Sequence, residues 1–260
     1  MDNLFSGLEE LGFKNLNEVD LYNKDEGKEN DTPAAKDESS ILDYIYDKSY
    51  TCPVCGNEVK VKTVKVGKAR NVSKDTDLMP RYENINPLFY DVALCQNCGY
   101  AALSRYFEKL KHDQALLIKS TITQKFRAKV YPDLYDEDVA IERYKLALLN
   151  AVVKNSKLSE KAFICLKLSW MYRLKEDNEN ELKFSEQALT GFKEAFTKES
   201  FPICGMDTYT LVYLLGELSR RIGDNESALR WLGKVIVTPG VSPRLKELAR
   251  DQRDLIRDSL

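Results

Sequence analysis

Two short segments, Cys52-Pro53-Val54-Cys55-Gly56 and Cys95-Gln96-Asn97-Cys98-Gly99, constrain this chain more than any other feature. Each is a Cys-x-x-Cys turn followed by glycine. The spacing aims two sulfurs at one point, and the glycine permits a positive φ that lets backbone N–H groups face the thiolates. Together Cys52, Cys55, Cys95 and Cys98 can place four sulfurs about 2.3 Å from one ion, the closed tetrahedral environment of structural Zn2+. The 39 residues between Cys55 and Cys95 exceed the usual gap of roughly 15–20, so this stretch must carry its own hairpin or extended insert.

Other thiol chemistry fits less well. A redox dithiol needs one motif and a thioredoxin-like βαβ context, which is absent. A catalytic zinc needs an open coordination position, and four cysteines close it. An iron–sulfur cluster also takes four thiolates and stays open as an alternative. Residues 50–104 hold too few apolar side chains for an independent core. The metal should therefore supply much of this region's folding free energy, about 10–16 kcal/mol apparent in small zinc peptides. Cys165 and Cys204 lie in apolar stretches and read as small buried hydrophobes. Six cysteines in 260 residues are too few for a disulfide scaffold and fit a reducing cytoplasm.

The chain is 43% apolar and 31% charged, the composition of a soluble globular protein rather than of a membrane or wholly disordered one. No stretch approaches the apolar run of about 18 residues that spans a bilayer, and no secretory leader is evident at the start. The expected location is cytoplasmic. A formal net charge of -2 gives no global field to recruit nucleic acid or an anionic membrane.

Charge and periodicity divide the chain into four parts. Residues 1–21 form a short apolar N-terminal segment marked by Leu4, Phe5, Leu8, Leu11, Phe13, Leu16, Val19 and Leu21. Residues 22–40 form an acidic, flexible linker too poor in apolar side chains to offset its ordering entropy. The tethered N-terminal segment either docks on its own core or serves as a recognition element for a partner. Residues 41–104 form a zinc-ribbon-like domain. There Val59 and Val61 alternate with Lys60 and Lys62, Gly67 offers a turn, and the run Leu88–Leu94 leads as a strand into Cys95. From residue 105 to 260 the period is helical, with prolines 132, 202, 239 and 243 as breaks. The fold class is mainly α with a small β zinc ribbon.

The helical part carries a variant tetratricopeptide-like pattern. Ala140, Tyr144 and Ala147 match a small–aromatic–small spacing, and Leu215-Gly216, Gly223 and Ala228 recur at repeat offsets. Equivalent positions Ala147, Ala188 and Val235 lie 41 and 47 residues apart, against roughly 34 in the standard repeat. An irregular helical domain is the competing reading. In the repeat register, first helices line a concave face for a peptide or helix, and Trp170, Arg173, Tyr213, Glu217 and Arg220 point into it. Arg220 and Arg221 either clamp a carboxylate or sit solvated at a helix end.

Catalytic material is sparse. The one histidine, His112, has no ligand-spaced partner, and neither a phosphate loop nor a Gly-x-Ser-x-Gly elbow occurs. Asp136, Glu137 and Asp138 read as the acidic first turn of a helix. Nucleic-acid binding would draw on Lys60, Lys62, Lys65, Lys68, Arg70 and Lys74, with Tyr82, Phe89, Tyr90 and Tyr100 for stacking. Interleaved acids and the negative charge of a tetrathiolate centre weigh against it.

The motifs Cys-Pro-Val-Cys-Gly at 52–56, Tyr-Glu-Asn-Ile-Asn-Pro at 82–87, Tyr90-Asp91-Val92 and Cys98-Gly99-Tyr100-Ala101-Ala102 resemble a bacterial domain-of-unknown-function family, number twenty-two twenty-five. The resemblance implies a bacterial cytoplasmic protein with a zinc-ribbon-like head and a tetratricopeptide-like tail, and brings no reaction. Ile85-Asn86-Pro87 is expected to pack between head and helices or to join a binding site. The expected function is a non-catalytic adaptor with one structural Zn2+ and a groove for a protein or peptide partner. The alternative is a nucleic-acid-binding ribbon with helices for assembly.

Overall fold

The structure, a computed structural model, describes residues 7–12 and 39–258. Most of the acidic linker and the outer parts of the N-terminal apolar segment lie outside the described residues. After a short helix α1 (Ser39–Leu42), β1 (Ile45–Thr51) pairs antiparallel with β2 (Glu58–Val64). The valine–lysine alternation of β2 takes effect as a two-residue period, with Val59 and Val61 buried and Lys60 outward. The long insert carries its own hairpin, β3 (Arg70–Lys74) with β4 (Pro80–Glu83), bulged between Asn71 and Ser73. A third hairpin, β5 (Val92–Leu94) with β6 (Ala101–Leu103), is wholly buried and flanks the second cysteine turn.

The run before Cys95 is not one strand, as its composition suggests. Pro87–Tyr90 forms a 3-10 turn and only residues 92–94 are extended. The cause is local. Asn86 caps the turn by accepting from the Leu88 N–H at 3.1 Å, and Pro87 supplies the fixed φ of a first helical residue. Ile85 is buried and the Tyr144 hydroxyl donates to the Leu88 carbonyl at 2.7 Å, so this segment packs between the hairpins and the helices.

The helices are α2 (His112–Thr121), α3 (Glu137–Val153), α4 (Leu158–Leu174), α5 (Asn178–Lys198), α6 (Thr208–Arg221), α7 (Asn225–Val237) and α8 (Pro243–Asp258). Asp136, Asp177, Asp207 and Asp224 cap α3, α5, α6 and α7, each accepting a backbone N–H three residues on. Such caps stabilise by about 1 kcal/mol each. Short connections make α3/α4, α4/α5, α6/α7 and α7/α8 packed neighbours. A Cβ at Gly216 would come within 2.8 Å of Leu232, so a side chain there would force α6 and α7 apart.

Residues 122–136, expected to be helical, instead run as irregular chain over the hairpins. A turn at their start bonds locally, the Lys125 and Phe126 N–H groups donating to the Ile122 carbonyl; beyond it the partners lie in other segments, the Arg127 N–H donating to the Leu11 carbonyl at 2.7 Å and the Tyr135 N–H to the Tyr90 hydroxyl at 3.0 Å. Leu8 and Leu11 are fully buried, and Glu10 pairs with Lys129 at 2.8 Å, so residues 8–11 dock on their own core. That core is continuous from these leucines through the hairpins to α6, while α6, α7 and α8 share a second cluster around Tyr213, Leu232 and Ala249. The first cluster draws buried residues from both sides of position 104.

Candidate functional site

The two cysteine turns repeat one backbone pattern. The Cys52 N–H donates to Asn57 and the Gly56 N–H to Cys52. The Cys95 N–H donates to Tyr100 and the Gly99 N–H to Cys95, all at 2.8–2.9 Å. Gly56 and Gly99 both take the positive φ that closes such a turn. Each turn thereby directs backbone N–H groups at its first sulfur, Val54 and Cys55 toward Cys52, Asn97 and Cys98 toward Cys95.

Hairpin β1–β2 holds one turn at its end and β5–β6 holds the other, which brings all four sulfurs within 4.8 Å of one another. Cys52 and Cys98 lie 3.6 Å apart, as do Cys55 and Cys95. These separations are far beyond a disulfide bond of about 2.05 Å. They match the edge of about 3.8 Å expected of a tetrahedron with metal–sulfur bonds near 2.3 Å. Hydrogen bonding among the sulfurs pushes the Cys52 and Cys98 thiols up and pulls Cys95 down. Cys52, Cys95 and Cys98 are buried and Cys55 is half-buried, so the four could hold one metal ion shielded from solvent.

The surroundings fix the second turn more tightly than the first. Asn150 donates to the Gly99 carbonyl at 3.1 Å, and Thr123 donates to the Cys98 carbonyl at 3.0 Å. A Cβ on Gly99 would clash with Phe126, whereas Gly56 faces open space. Tyr100 and Tyr90, proposed stacking platforms, are core residues. Lys62 pairs with Asp133, Lys65 donates to the Asp43 carbonyl, and Arg70 pairs with Glu83, so half of the basic cluster is engaged locally. His112 is exposed at the start of α2. Cys165 is fully buried, and Cys204, half-buried, donates to the Ser159 carbonyl.

The structure gathers Trp170, Arg173, Tyr213, Glu217 and Arg220 as the sequence register groups them, but not around an open groove. The β3–β4 tip, Asp75 to Leu78, fills that face. Asp77 is fully buried and accepts from Trp170 at 2.9 Å and from both terminal nitrogens of Arg173 at 3.0 and 2.5 Å. Arg173 also binds Asp75 at 2.9 Å and Glu181 at 2.7 Å. Thr76 donates to Glu217 at 2.5 Å, and its carbonyl accepts from Tyr213 at 2.7 Å. Arg220 and Arg221 clamp Glu217, at 2.9 and 2.8 Å. The expectation of an exposed partner groove at these five positions is therefore corrected: Trp170, Arg173, Tyr213 and Glu217 spend their polar groups on the chain's own hairpin, and Arg220 spends its own on Glu217. Burial pushes the Asp75 carboxyl up, and hydrogen bonds from Arg81 and Arg173 outweigh it, holding the group below the ordinary carboxylate range. The sequence reading missed Asp75, Thr76, Asp77 and Glu181. The one available signal was the Asp-Thr-Asp triplet inside the long insert.

No helix among the described residues is long and apolar enough to cross a membrane. No curated protein and no solved structure matches the chain. A family model described as "Uncharacterized protein conserved in bacteria (DUF2225)" matches residues 45–256, most of the chain and both cysteine turns, and the protein belongs to that family.

Proposed function

We propose that the protein is a non-catalytic, cytoplasmic interaction module whose tetrathiolate holds one structural Zn2+, with a tetratricopeptide-like helical array as the scaffold for a protein partner. The observation that carries the reading is the closed set of four sulfurs, buried and spaced for a single ion. A cluster of several irons would hold its thiolates further apart than one ion does. With every ligand position taken by cysteine, the ion has no site left for water or substrate, and its work is mechanical. It ties hairpin β1–β2 to hairpin β5–β6, which α3 in turn anchors through Arg143 and Asn150. Antiparallel helix neighbours, small residues at Ala140, Ala147 and Gly216, and the turn at Gly223-Asp224 support the repeat-like array.

Elemental analysis of the purified full chain tests this, with one zinc per molecule expected. Stoichiometric iron, or metal lost on brief dialysis, would overturn it. The nucleic-acid reading is checked by fluorescence anisotropy with single-stranded RNA and DNA of twenty nucleotides at low salt. No binding is expected, whereas binding that collapses as salt rises would favour that alternative.

A further inference from the structure

The filled face leaves one side of the hairpin unused. β3 pairs only with β4, and all five of its residues are exposed. Its other edge faces a cleft of about 650 Å3 whose far wall is the start of α8. Residues Asn71 to Asp75 line this cleft in unbroken succession. A strand that presented only one face to a cavity would contribute every second residue, because side chains alternate. The bulge between Asn71 and Ser73 disturbs that alternation, but Ser73, Lys74 and Asp75 beyond it still line the cleft in succession, as a strand meeting it at its backbone edge would.

Hydrogen-bond phase identifies the free groups. The Asp75 N–H donates toward β4, to the Met79 carbonyl at 2.8 Å, and Lys74 stands opposite Pro80, which has no N–H. In an antiparallel ladder the bonding direction alternates along the strand, so the Lys74 N–H and carbonyl point outward. Val72, 49% exposed, with Leu78, Leu245 and Leu248, supplies an apolar lining.

The charge of the cleft is not balanced. Asp75 is neutralised by Arg81 and Arg173, and Asp207 is committed to capping α6 through the Thr210 N–H at 2.7 Å. Lys74 and Arg244 have no carboxylate partner among the described residues. A backbone edge, an apolar lining and two unpaired cations together describe one kind of occupant.

We propose that an extended, acidic peptide segment of a partner protein adds as a strand to the free edge of β3, packs its apolar side chains against α8 and sets a carboxylate against Lys74 and Arg244. Main-chain bonding along the edge gives affinity, and the alternate side chains give specificity. The proposal rests on the interaction-module reading and assigns it a site and a partner chemistry.

The test uses the metal-loaded full chain and a fluorescein-labelled octapeptide of alternating threonine and valine with two glutamates. Three peptides are compared by anisotropy: this one, its lysine-for-glutamate version and a version N-methylated at alternate amides. Binding of the first is expected, with at least tenfold weaker binding of the lysine version and loss of the methylated one. Arg244→Glu and Lys74→Glu, both at exposed positions, should each weaken the glutamate peptide about tenfold while zinc content and melting temperature stay unchanged. Equal binding of all three peptides, or none by the glutamate peptide, overturns the strand-addition proposal. So does concentration-dependent dimerisation abolished by Lys74→Glu, which would place a second copy on the edge. Any of these results with one zinc per chain would leave the structural-metal reading standing, whereas loss of metal stoichiometry would remove that reading alone.

Discussion

The cysteine turns and the β3–β4 tip both hang on hairpins that lack a core of their own, and their side chains offer opposite chemistry for fastening them. The turns are arranged for four soft sulfurs on one ion. The tip is held by hard ion pairs, three arginines and four carboxylates exchanging hydrogen bonds across α4, α5 and α6. A thiolate centre concentrates its holding energy at one removable point. The arginine network spreads it over many contacts, and its cost appears when one partner is lost and a buried charge is left alone.

Removing the ion should have the largest effect. Cys95→Ser is expected to abolish stoichiometric zinc and to open residues 45–104 to protease, while helical circular dichroism from α6, α7 and α8 persists. Apparent binding energies on the order of 10 kcal/mol set the scale. A protease pattern identical to wild type would show that the shared core, not the metal, holds the head. Next comes Asp77→Asn, which keeps the shape of a fully buried side chain but takes one of the three carboxylates from Arg173, leaving Asp75 and Glu181. A loss of about 2–3 kcal/mol is expected, read as a melting temperature at least ~4 °C lower with zinc content intact. If zinc were lost too, the two fastenings would be one cooperative unit. The smallest effect belongs to Lys62→Ala. It removes a pair whose Asp133 side chain is 75% exposed, and less than about 1 kcal/mol should be lost. Chemical denaturation at low and high salt checks this, and a larger loss would mean that the surface pair shares in the clamp.

The four-cysteine cluster was legible because its information is local: two five-residue turns name the sulfurs and shape their backbone without reference to the rest of the chain. The start of α3 was legible for the same reason, since the acidic run at 136–138 marks a first turn and Asp136 caps it from within three residues. The network around Asp77 was not. Repeat spacing could group Trp170, Arg173, Tyr213, Glu217 and Arg220 on one face, because that grouping follows helical period alone. What covers the face depends on where a hairpin some hundred residues upstream comes to rest, and no spacing rule encodes that. The same limit explains the irregular run after 126, where the Arg127 and Tyr135 N–H groups find their acceptors in Leu11 and Tyr90 rather than in near neighbours.

The distance between Thr76 and its partner Glu217 is 141 residues along the chain, and this orders events during synthesis. Hairpin β3–β4 leaves the ribosome early, yet the acceptor it needs belongs to α6, which is translated much later. Cys52 and Cys55 wait only for Cys95 and Cys98. A growing chain can therefore bring its four sulfurs together while the tip is still unmoored, and a helix translated much later locks a piece made well before it.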